Sequence, residues 1–148
     1  MGKKLFIILL LNIILSLVQV SFVPILFSHK LYINLVLALS FGFLAVNKTK
    51  DAYISALISG LIMDILGITT IGISAFIFCT GLYIAYFIHD KFLKKYSLFL
   101  FIIPVDIFYQ LLVLRQIEAG NIFLTFISFG LFYFMLKKLL KREDLYKL

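Results

Sequence analysis

The sequence predicts an all-α membrane protein, a polytopic bundle of six transmembrane helices in one domain spanning residues 1–148. Three observations predict it. Hydrophobic residues make up 64% of the chain and charged residues 14%, where soluble domains run about 45–50% and about 25%. The mean hydropathy is +1.14. The cationic side chains gather in clusters between long apolar runs and do not line one face. A soluble core this apolar would leave too few polar residues to cover its surface, whereas lipid tails solvate such a surface directly.

A spanning helix takes about 20 mostly apolar residues, and the chain offers six stretches in order. The first covers residues 5–23 and is ended by Pro24. It is too long for a signal-peptide core and lacks a small-x-small cleavage site, so it reads as an uncleaved span. Phe6 stands where a myristoylation signal wants Ser or Thr. Asn12, Ser16 and Gln19 share one face of this span, which marks that face as inward. The second span covers 31–46 and the third 52–66. Small residues recur at a spacing of four, Ala38 and Gly42 on the second and Ala52, Ala56 and Gly60 on the third. Such faces let helices approach closely, so these two spans are expected to pack as a hairpin across the connection 47–51. Ser55 and Ser59 share a face of the third span. The fourth span covers 71–88, the fifth 97–114 and the sixth 122–136. The second, third and sixth are short, so their ends are expected to reach into the interface or the bilayer to thin locally. All connections are short, which makes successive spans antiparallel neighbours and leaves no room for a soluble domain.

Charge sets the orientation. With the N-terminus inside, the inner segments hold twelve cations: Lys3, Lys4, Lys48, Lys50, Lys91, Lys94, Lys95, Lys137, Lys138, Lys141, Arg142 and Lys147. The outer loops hold two, Lys30 and Arg115. The positive-inside rule therefore predicts that the N and C termini both face the cytoplasm. The net charge of +7 is read as topology and contact with anionic membrane lipids, with no nucleic-acid partner. The tail 137–148 is basic with interspersed Leu. It reads as the end of the last helix anchored on anionic lipid, or as a docking site for a cytoplasmic partner.

Two acids lie inside apolar spans, Asp64 and Asp106. A central intramembrane Asp costs about 2.5–3.5 kcal/mol on insertion scales, so both are expected to face the bundle interior. Asp64 precedes the turn that carries Gly67 and Gly72, and is expected to accept hydrogen bonds from the free N–H groups where the fourth helix begins. The two glycines are expected to permit a tight turn there. Asp106 follows Pro104 by two residues and precedes Gln110 by one turn. Pro104 breaks the backbone ladder, and neighbouring polar groups are expected to fill the gap. No catalytic set is expected: no HExxH, P-loop or GxGxxG occurs, and His29 and His89 fall on opposite membrane sides. His89 and Asp90 read as a solvated interface pair. Cys79 stands alone in an apolar run, so neither a disulfide, a metal site nor a cofactor is expected.

The run Ala56-Leu57-Ile58-Ser59-Gly60-Leu61-Ile62-Met63-Asp64-Ile65-Leu66-Gly67, followed by Ile71-Gly72-Ile73-Ser74-Ala75, resembles the MreD family of rod shape-determining membrane proteins. Gly60, Asp64 and Gly72 are its sharp points. Thr70 stands where that family commonly has Pro. The resemblance covers residues 34–92 and extends to length, span count and orientation. It implies a non-enzymatic scaffold of the cell-elongation machinery, which inserts lateral-wall peptidoglycan. The implied partners are MreC, the actin-like MreB, RodA and a class B penicillin-binding protein. Gly60, Asp64, Gly67, Gly72, Asp106 and Gln110 are the candidate structural or partner-contacting residues.

The six-helix layout also resembles the fold of the S-component, the substrate-binding subunit of energy-coupling factor vitamin transporters. Those proteins typically carry Ala-xxx-Ala on the first helix, and span 5–23 has neither Ala nor Gly. A third reading is a small proton or ion carrier that uses Asp64 and Asp106, with no paired base beside them.

Overall fold

The computed structural model describes residues 2–22, 32–67, 70–91, 97–115 and 118–145. Pro24, His29 and the loop 92–96 lie outside the described residues, as do the side chains of His89, Asp90 and the tail 140–148. Among the described residues every regular element is helical. Helix α1 runs Gly2–Leu17 and continues as a π-helical segment, Val18–Phe22. Helix α2 is Leu35–Ala45, α3 Thr49–Leu66 and α4 Ile73–Lys91. Helix α5 runs Ser97–Tyr109 and continues as a second π segment, Gln110–Leu114, and α6 is Ala119–Leu145.

The differences from the predicted spans have physical causes. Apolar character marks burial, not helix, so the second span begins earlier than its helix. Tyr32, Ile33 and Asn34 are non-helical, and Asn34 caps α2 by accepting from Leu37 N–H at 3.2 Å. The sixth helix overruns its predicted end at residue 136 because Lys, Leu, Arg and Glu are good helix formers. At 1.5 Å per residue, α6 is about 40 Å long and α2 only about 16 Å.

Helix α2 is the axis of the bundle. It contacts α1, α3, α4, α5 and α6. Residues 36–44 are all buried, which suits a helix apolar on every side. Phe41 meets Phe129 of α6 edge-to-face, with centroids 6.4 Å apart. The expected hairpin of α2 and α3 forms. Its polar seam is Ser40 Oγ donating to Ser55 Oγ at 3.1 Å, which donates on to Asn12 Oδ1 of α1 at 2.9 Å. The glycines of these two helices serve other partners. Gly42 faces α6, where a Cβ would lie 3.2 Å from Leu136 Cδ1. Gly60 faces α4, where a Cβ would fall on the Ala75 backbone and 2.9 Å from Ala75 Cβ. Spacing marks a small face without saying which neighbour it meets.

The distribution of polarity is inverted relative to a soluble bundle. Asn12, Gln19, Asn34, Ser55, Ser59, Asp64 and Gln110 are fully buried. Phe6, Ile65, Phe76, Leu100, Leu131 and Phe134 are each more than three-fifths exposed. Among the described residues one stretch, Ala119–Leu139 of α6, is by itself long and apolar enough to cross a membrane. The apolar stretches Leu5–Ser21, Leu35–Ala45, Ile73–Ile88 and Leu100–Leu114 are shorter.

The close approach of α3 and α4 makes a prediction. Gly60→Ala forces the two backbones apart and is expected to cost about 1–3 kcal/mol. Gly130 of α6 has open space where a Cβ would stand. Gly130→Ala is expected to gain up to about 1 kcal/mol from helix propensity. Unfolding of the purified variants, followed by circular dichroism, checks the pair; equal effects would contradict the packing at Gly60.

Candidate functional site: a polar cluster at one end of the bundle

A helix leaves its first N–H groups without intrahelical partners, and in an apolar setting each unmet group is costly. Three helices of this bundle begin at the same end, α2, α4 and α6. Each receives a side chain from the last turns of the helix before it. Gln19, in the π segment of α1, accepts from Val36 N–H of α2 at 3.2 Å. Asp64, in the last turn of α3, accepts from Gly72 N–H at 2.7 Å and from Ser74 N–H at 3.1 Å. Gln110, in the π segment of α5, accepts from Glu118 N–H just before α6 at 3.2 Å. Both π segments thus carry a glutamine that reaches outside its own helix. An i→i+5 segment re-aims side chains locally, and such bulges often sit at functional sites.

Asp64 therefore joins α3 to α4 through its carboxylate, where the partial positive charge of a helix start favours an anion. Gly72 has φ +99°, which side-chain-bearing residues rarely adopt. Gly67, by contrast, has an ordinary φ of −84° and caps α3 by donating to Met63 C=O at 2.8 Å. Of the two glycines expected to permit the turn, Gly72 alone uses a left-handed backbone. Gly60, Asp64, Gly67 and Gly72 all belong to this one junction.

Asp106 and Gln110 belong to a second group on α5. Asp106 accepts from Asn34 Nδ2 at 3.2 Å and from Gln110 Nε2 at 2.9 Å. Its partners are side chains, and Pro104 faces outward from the same helix. Asp106 thus braces the start of α2 in place of the backbone gap at the proline. The start of α2 is further held by α6. Tyr32 N–H donates to Asn121 Oδ1 at 2.8 Å, and Asn34 N–H to Thr125 Oγ at 3.1 Å. The non-helical backbone before α2 is thereby satisfied by side chains of α6, while α5 holds the Asn34 side chain and the π segment of α1 the first turn of α2. Between the two groups stand two tyrosines. Tyr32 and Tyr109 stack with centroids 6.1 Å apart, and their hydroxyls lie 3.2 Å from each other. Gln19 Nε2 donates to the Tyr32 hydroxyl, and the Tyr109 ring rests on Phe78.

Tyr32, Asn34, Tyr109, Asn121 and Thr125 are members of the site that sequence reasoning passed over. One signal was present for some of them. Asn121 and Thr125, like Asp106 and Gln110, are polar pairs four residues apart on an apolar helix, a spacing that puts both on one face. Asn34 gives no such signal, being a single polar residue at the start of an apolar run. Chemically the cluster satisfies helix starts and locks helices together. Among the described residues no three His, Cys, Asp or Glu side chains gather as metal ligands would. No family model, no curated protein and no solved structure matches the chain.

Removing the Asp64 carboxylate takes the acceptor from one buried N–H, that of Ser74, and one half-buried N–H, that of Gly72. Asp64→Ala is expected to cost about 1–3 kcal/mol, and Asp64→Asn less, since one acceptor oxygen survives. Asn34→Ala is expected to exceed the usual cap loss of about 0.5–2 kcal/mol, because Asp106 also loses a donor. Chemical denaturation of the purified variants measures all three. A wild-type unfolding midpoint for Asp64→Ala would contradict the capping role.

Proposed function

We propose that the chain is a six-span protein of the bacterial inner membrane and a non-enzymatic scaffold of the MreD kind. It holds partner transmembrane helices in register within the cell-elongation machinery, and so supports rod shape and lateral-wall peptidoglycan synthesis. The single observation that carries this reading is the α3–α4 junction. Gly60, Asp64 and Gly72, the residues on which the resemblance rests, are one physical unit there: close backbone contact, helix-start cap and left-handed turn. The motif is thus the sequence of a built joint.

The inverted polarity supports placing the bundle in a bilayer. Lipid solvates exposed Phe, Leu and Ile at no cost, whereas buried Asn, Gln and Asp need each other. Helix α2 is too short to cross a hydrocarbon core of about 30 Å alone. It is surrounded by the other helices, and non-helical backbone at membrane depth is tolerated where protein covers it. In the proposed topology the polar cluster lies in the outer half of the bilayer, and Lys48, Lys50, Lys137 and Lys138 lie at the inner end.

The partners in this reading are MreC, MreB, RodA and a class B penicillin-binding protein, met mostly within the bilayer because little chain lies outside it. Photocrosslinkers placed along the exposed faces of α4 and α6 in living cells are expected to trap MreC. Crosslinks confined to the Arg115 loop would count against an intramembrane scaffold. Cysteines at Lys48 and Lys138, in a Cys79→Ser background, are expected to label from the cytoplasmic side and a cysteine at Arg115 from the outside. Labelling of Lys48 and Lys138 from opposite sides would remove the topology.

The convergence of Gln19, Tyr32, Asn34 and Asp106 at the outer end of the bundle favours a second reading, a solute-binding subunit like the S-component. A vitamin retained through purification at nanomolar affinity would decide for it.

A further inference from the structure

Serines inside this bundle commonly donate to a carbonyl of their own helix. Ser128 Oγ reaches Leu124 C=O at 2.9 Å, and Ser59 Oγ reaches Ala56 C=O at 3.3 Å. Ser16 differs: it is fully buried, and its Oγ makes no hydrogen bond among the described residues. Ser74 Oγ also makes none, but the Tyr109 hydroxyl stands beside it. An unpartnered buried hydroxyl is costly, and protein interiors meet such groups with bound water.

The register of α1 on α3 fixes what Ser16 faces. The two helices are in contact and parallel, because both end where α2 and α4 begin. Asn12 Oδ1 accepts from Ser55 Oγ at 2.9 Å. Four residues on along each helix, positions 16 and 59 stand level, one turn nearer that end. Ser59 is fully buried like Ser16, and the two hydroxyls do not bond to each other. The cause is reach: the asparagine side chain is one bond longer than serine, so it closes its layer directly where two serines stop short. Two hydrogen bonds of about 2.8 Å meeting at a tetrahedral angle span about 4.6 Å, which is the bridge that one water makes.

We propose that Ser16 and Ser59 hold a single buried water between α1 and α3. Ser16 donates to it, and it donates to Ser59 Oγ, whose own hydrogen is on Ala56 C=O. The Asn12 and Gln19 amides lie on the same face of α1. Each nitrogen uses one N–H, on Ile8 C=O and on the Tyr32 hydroxyl, and carries a second for the third bond that a buried water typically takes. The water thus continues a polar column inside the bundle, from Gln19 and Tyr32 to the Asn12–Ser55–Ser40 seam.

The test is a double-mutant cycle on the purified full chain, read as the midpoint of denaturant unfolding. Ser16→Ala and Ser59→Ala each remove one end of the bridge. The two changes are expected to be coupled, the double variant being more stable than the sum of the single shifts predicts. The gain in helix propensity that each alanine brings cancels in the cycle. Additive shifts overturn the inference. A crystal structure of the full chain that resolves ordered water supplies the second measurement. Density for one oxygen within hydrogen-bond distance of both hydroxyls is expected. Hydroxyls in direct contact, or an empty gap between them, overturn the inference, and density larger than a single oxygen overturns it in favour of a small polar solute.

Discussion

The unmet N–H groups at the start of a helix are the constraint on which this bundle depends. In water they are solvated at little cost; inside an apolar assembly they need an acceptor from the protein. The chain answers in the same way three times at one end, with Gln19 for α2, Asp64 for α4 and Gln110 for α6. The two amides come from π segments and the carboxylate from a regular helix, so the repetition lies in the task and not in the local backbone. Asp106, Asn34, Asn121 and Thr125 then tie these capped ends together around the entry to α2.

That entry shapes the rest of the fold. Because α2 begins inside the bundle, it is short and covered on all sides, and the polar groups that surround its start are the core of one end. Farther along α2 the Ser40–Ser55–Asn12 seam lies on one side, and hydrocarbon and rings on the other, with Phe41 against Phe129 and Gly42 against Leu136 and Phe132. The balance of forces therefore shifts along the helix. Its start depends on directional hydrogen bonds, which fix geometry, and its later turns more on packing of apolar side chains, which fixes distance.

The sequence makes the helical architecture legible because six apolar runs separated by short polar segments leave few alternatives. The inward face of α1 is legible as well, since Asn12, Ser16 and Gln19 repeat at helical spacing and all three are fully buried. The hydrogen bonds that Asp64 accepts from the start of α4 follow from a carboxylate placed just before a glycine-bearing turn. Other features leave no local trace. The roles of Tyr32 and Asn34 come from residues 72 to 91 positions away, and no spacing rule reaches that far. The partner of Gly42 is hidden for a related reason: a small side chain permits close approach without selecting who approaches. The end of α6 is missed because charge marks where apolar surroundings stop, while the backbone continues helical through Lys and Leu.

The three caps also differ from the tie between them in how far they reach along the chain. Asp64 and Gln110 bond to groups 8 to 10 positions ahead and Gln19 to one 17 ahead, whereas Asn34 waits for Asp106 72 positions later. Short closures lose little loop entropy, so each cap needs only the helix that follows it in sequence, whereas the ties at the start of α2 also require the fifth and sixth helices.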